Sequence, residues 1–70
     1  MNALSQSSKD AIETARRFLA SYDVQTAAHV LRDLPEIKER GLTDLAWAMT
    51  KDAYISKNDV LYLIEKLEAA

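Results

Sequence analysis

Few residues of this seventy-residue chain could do chemistry: one histidine, His29, no cysteine, and three large aromatic side chains in the C-terminal half, Trp47, Tyr54 and Tyr62. His29 shares a helical face with Gln25 and Arg32 and has Asp33 four residues on. It has no second histidine, cysteine or nucleophile near it in sequence, so neither a nucleophile–base pair nor an imidazole metal site assembles locally. The stretch from Asp52 to Asp59 fails as a calcium loop, because Tyr54 and Lys57 stand in the region where oxygen ligands are needed and the central glycine and final glutamate are missing. With no thiol there is no zinc site built on cysteine and no thiolate nucleophile. The expectation is a protein that is not an enzyme and holds no metal or cofactor. Binding chemistry remains. Trp47 and Thr50 fall on one side of a helical pattern that also reaches Tyr54, and Tyr62 lies beside Lys66 on the next helix. Exposed Trp and Tyr next to small residues are the usual anchors of protein recognition surfaces, so Trp47, Thr50, Tyr54 and Tyr62 are the candidate partner-binding residues; the competing reading puts the aromatics in the core.

Charge narrows the partner. Residues 1–35 carry Lys9, Arg16, Arg17 and Arg32 against Asp10, Glu13, Asp23 and Asp33, and the remainder holds five positive against seven negative residues, for a net of -2. No segment is a basic footprint for phosphate, which argues against nucleic acid as the main partner. The opening residues lack the basic and apolar regions of a signal peptide, and no apolar run approaches the roughly 18 residues of a membrane span. A soluble cytoplasmic protein is expected.

The elements that must position these side chains are helical. Half the residues are apolar, with a single Gly and a single Pro, which favours a packed helical chain over a disordered one. Residues 1–6 read as a frayed lead-in and residues 7–70 as one domain of four to five short helices. Ser7 or Ser8 is the expected cap of the first helix, whose stripe runs through Ala11, Ile12, Ala15, Phe18, Leu19 and Tyr22. Asp23 should cap a second helix carrying Val24, Ala27, Ala28, Leu31 and Leu34, and Pro35 should end it. Asp33 and Glu36 are placed to cap a short helix over 35–40, anchored by Ile37 and closed by Gly41 in a left-handed conformation.

The last two helices form a capped hairpin. Thr43 is the expected cap of the first, with Leu42, Leu45, Ala46, Met49 and Ala53 facing inward and Trp47 and Tyr54 about 200° and 180° from Leu45. The turn Asp52-Ala53-Tyr54-Ile55 leads to Ser56, whose hydroxyl can accept from the Asp59 N–H, and Ile55 and Val60 have the spacing of a hydrophobic staple. Val60, Leu61, Leu63, Ile64 and Leu67 cover an arc of roughly 160°, wider than a surface helix needs. So small a chain is not expected, on size alone, to cover that arc, which makes Leu63, Val60 and Leu67 the candidate self-association residues of a homodimer.

Thr43, Asp44, Leu45, Met49, Ala53, Ile55, Ser56 and Lys57 match a T-E/D-L-x3-[apolar]-x3-A-x-[apolar]-S-K run. In this, residues 43–69 resemble the helical hairpin that opens the bacterial histone-like HU proteins. The resemblance covers under half the chain. It implies a hairpin that dimerises; the basic β-arms with which those proteins bind DNA have no counterpart in these seventy residues. A helix-turn-helix reading fares worse: no glycine stands at the tight turn, and Asp59, Glu65 and Glu68 accompany Lys57, Asn58, Tyr62 and Lys66 on the would-be recognition helix. The function expected is that of a small regulator, adaptor or inhibitor acting by protein contact. The alternative is a nucleic-acid-associated regulator that gathers Lys9, Arg16, Arg17 and Arg32 on one face of a dimer.

Overall fold

Each change of phase in the hydrophobic period coincides with a residue that starts or stops a helix. The structure, a computed structural model, describes residues 3–69. Among them the chain forms five helices and no strand: α1 (Gln6–Ala20), α2 (Val24–Arg32), α3 (Pro35–Glu39), α4 (Thr43–Lys51) and α5 (Lys57–Glu68). This is the expected small all-α bundle. Its last helix opens on a complete capping box, with the Asp59 N–H donating to Ser56 Oγ at 3.2 Å and the Ser56 N–H donating to Asp59 Oδ2 at 3.1 Å. Asp23 caps α2 by accepting from the Thr26 N–H.

Other boundaries differ from those expected. α1 is capped by Ser5, which accepts from the Ser8 N–H, and not by Ser7 or Ser8. Of the lead-in expected over residues 1–6, Met1 and Asn2 lie outside the described residues. Leu4 packs against the core, Ser5 is the cap and Gln6 begins the helix. Leu34, not Asp33, stands at the head of α3, and Leu42, not Thr43, at the head of α4; neither provides a side-chain cap. Asp33 instead accepts from Arg32 Nε, and Glu36 is drawn to α1. Asp52 turns extended at ψ 112° and ends α4 at Lys51, so Ala53 lies outside the helix and is exposed instead of facing the core.

α1 and α3 close in the same way. Gly41 takes φ +68°, and the Gly41 and Leu42 N–H groups return to Lys38 O and Ile37 O at 3.2 and 2.8 Å. At the end of α1 the left-handed residue is Tyr22, φ +59°, with the Tyr22 and Asp23 N–H groups returning to Leu19 O and Phe18 O at 3.0 and 2.9 Å. A residue with a Cβ costs roughly 1–2 kcal/mol in that conformation. The turn also swings the ring off the stripe it was expected to extend: Tyr22 is 80% exposed.

The core is built from all five helices. α1 packs on α2, and α2 packs on both α4 and α5. Ala27, Ala28 and Leu31 of α2 are fully buried, and the two alanines leave room for neighbouring helices to approach. Val60, Leu63 and Leu67 are also completely buried, as part of one cluster with Ile12, Leu19 and Leu31. That corrects the assignment of these three to self-association: the wide arc of α5 is covered within a single chain, because the bundle wraps it from more than one side. The radius of gyration, 10.9 Å, agrees with the value of about 11 Å for a compact chain of this length. Arg16 Nη2 meets Glu68 Oε1 at 2.8 Å and ties the middle of α1 to the end of α5.

Candidate functional site

With the core closed mainly by aliphatic side chains, the three candidate aromatic residues are left at its edge or outside it. Trp47 is 44% exposed, Tyr62 48% and Tyr54 93%. Trp47 is the one held by a neighbour across the bundle. Ala46 and Met49 turn inward on α4, which leaves Trp47 at the edge of the packed face, and α2 runs alongside. The Arg32 guanidinium lies 4.1 Å from the centre of the indole ring, within range of a cation–π contact. Its Nε donates to Asp33 Oδ1 at 3.4 Å, which fixes the plane of the group from the other end. Thr50, half-buried, donates from Oγ1 to Trp47 O at 2.9 Å. Trp47 and Thr50 are therefore adjacent, as their spacing implied.

Tyr54 does not continue their stripe. Because α4 stops at Lys51, Tyr54 sits in the turn, where its N–H donates to Asp52 Oδ1 at 2.8 Å. Asp52 O accepts from Gln25 Nε2 at 3.5 Å, so this turn is tied to the start of α2. Tyr62 projects from α5 with the Lys66 ammonium 5.3 Å from its ring centre. The four sequence candidates thus divide into a Trp47–Thr50 pair on α4, Tyr54 in the turn, and Tyr62 on α5. Arg32 completes the Trp47 site; by sequence it falls on the polar side of its helix and is assigned only to the basic face of the alternative reading. The signal that could have found it is the short length of α2 and α4, which brings the ends of both within reach of long side chains.

The cations are dispersed. Arg16 pairs with Glu68, Arg17 with Glu13 and Arg32 with Asp33. His29 is exposed on α2. The acidic residue with an unusual setting is Glu36, which is 5% exposed. Its carboxylate accepts from Ser8 Oγ at 2.6 Å and from the Ser5 N–H at 3.1 Å. The Ser8 hydroxyl holds its pKa below the ordinary glutamate value, while burial acts in the opposite direction. By sequence the run from Glu36 to Arg40 reads as solvated surface, and the structure corrects this for Glu36. The cluster fastens α3 to the start of α1. No helix among the described residues is long and apolar enough to cross a membrane.

Comparison with protein-family models, with curated proteins and with solved structures gives no match.

Proposed function

We propose that this protein is a small non-enzymatic regulator, adaptor or inhibitor that acts by protein contact, through a surface centred on Trp47. The observation that carries the reading is a large indole left 44% exposed beside a core that closes without it, and held in place by Arg32 at 4.1 Å. Trp and Arg are the residue types most enriched where truncation costs most at protein interfaces. An indole already fixed by its neighbour gives up little side-chain freedom on binding, so more of its contact energy reaches the complex. Thr50 at its side supplies part of the polar rim such surfaces use.

The test is affinity capture from cells that express the protein, with wild type and Trp47→Ala as bait and the melting temperature of both measured first. The variant is expected to stay folded, although it loses about 3 kcal/mol from the cation–π contact and the buried part of the ring. Its binding should weaken by about 2 kcal/mol or more. Proteins captured equally by both baits would overturn the reading, as would unfolding of the variant, which would make Trp47 a core residue.

A further inference from the structure

The surroundings of Trp47 specify a kind of partner, an inference that rests on the protein-contact reading of this surface. Gln25, His29 and Arg32 lie at i, i+4 and i+7, on one face of α2. That face is turned to α4, because Gln25 Nε2 reaches Asp52 O at one end and the Arg32 guanidinium covers Trp47 at the other. The two helices therefore run antiparallel along a common seam. Lys51, one turn on from Trp47, is exposed on the same side of α4. A chain whose net charge is -2 thus flanks its exposed indole with Arg32 and Lys51, with His29 between them along α2. Of the nearby acids, Asp33 is engaged by Arg32 Nε and Asp52 by the Tyr54 N–H, while Asp44 stands exposed one turn before Trp47.

Arg32 is held but not saturated. Its Nε is committed to Asp33, whereas Nη1 and Nη2 have no acceptor among the described residues. A guanidinium fixed on an aromatic face, with both terminal nitrogens lacking an acceptor although the side chain is only 21% exposed, is pre-organised for a forked pair with a carboxylate. We propose that the partner segment is acidic and apolar: a bulky apolar side chain rests on the open part of the Trp47 ring, and a neighbouring Asp or Glu takes both Nη atoms of Arg32. A phosphate backbone is disfavoured by the same geometry, since Arg16 and Arg17 are paired with Glu68 and Glu13 instead of extending the positive face.

The experiment is a selection of random twelve-residue displayed peptides on the wild-type protein, with removal of those that also bind Trp47→Ala. Enriched sequences should carry an excess of Asp and Glu next to Leu, Phe or Trp. Arg32→Gln should weaken the selected peptides by more than about tenfold. Arg32→Lys, which keeps the charge without the fork, should fall between the two, with the melting temperature as the folding control. Enriched peptides that are basic or neutral, or that bind Arg32→Gln as well as wild type, would overturn the acidic partner and leave the contact reading intact. Absence of any Trp47-dependent peptide would overturn both. The acidic partner also falls if duplex DNA displaces the selected peptides, or if the Trp47 indole signal shifts with protein concentration alone, which would identify a second copy as the occupant.

Discussion

Removing the Glu36 carboxylate should loosen the whole bundle, and the size of the effect is set by the groups Glu36 holds. The carboxylate takes hydrogen bonds from Ser8 Oγ and from the Ser5 N–H, and Ser8 is completely buried. In Glu36→Ala the Ser8 hydroxyl loses its acceptor away from water, and a hydrogen bond to a charged group disappears. Either accounts for about 2 kcal/mol. For a domain of this size that lowers the melting temperature by roughly 8–16 °C. Glu36→Gln keeps the shape and can still accept from Ser8, but its amide offers a second donor to the Ser5 N–H, so about 1 kcal/mol should go. The pH profile is the sharper assay. The folded-state pKa of Glu36 is lowered from its ordinary value of 4.5, so the folded state favours the carboxylate. Its contribution is complete above that value and is lost as the pH falls through the folded pKa. Wild type should therefore exceed Glu36→Gln by a constant margin near neutrality, and the margin should shrink on acidification below about pH 4.5. A margin that stays constant from pH 7 to pH 3, or a Glu36→Ala variant as stable as wild type, would refute the argument.

Leu63→Glu places a carboxylate where the side chain has no exposure at all, and it should unfold the chain instead of releasing folded monomers from a dimer; circular dichroism of the variant decides between these. Gly41→Ala should cost about 1 kcal/mol in urea titration from backbone conformation alone, since a Cβ built at Gly41 meets nothing within 4 Å. The reverse change, Tyr22→Gly, should raise stability by about 1 kcal/mol. A fall would show that the Tyr22 ring, 5.5 Å from the Lys57 ammonium, contributes more than its backbone costs.

Apart from the caps of α1, α3 and α4, features whose partners lie within three or four residues were legible from sequence. The Ser56 and Asp23 caps and the left-handed Gly41 are of this kind. Ser5, Ser8 and Glu36 were not, because their contacts span 28 and 31 residues and a serine beside a charge run looks like surface. The breadth of the α5 arc correctly signalled heavy burial, yet periodicity says how much of a helix is covered and not by which body; here the core of the same chain covers Leu63, with α5 packed on α2 and α4. The angle of Trp47 to Leu45 took it off the inward face but left core and interface both open, and grouping it with Tyr54 assumed a helix that continued past Asp52. Arg32 was missed as part of the Trp47 site because contacts between helices depend on how α2 and α4 cross.

The tether between Ser5, Ser8 and Glu36 also bears on how the amides of α1 exchange with solvent deuterium. The first turn of a helix ordinarily opens at almost no cost, so its protons exchange first. Here the Lys9 N–H bonds to Ser5 O, and the Ser5 N–H is given to a carboxylate on α3. Opening that turn strands a buried hydroxyl and releases the anchor of Glu36, so the start of α1 and the whole of α3 form a single cooperative opening unit. Deuterium uptake at Ser5 and Lys9 should accordingly keep pace with uptake at Ile37 and Arg40, although these residues lie about thirty positions away along the chain.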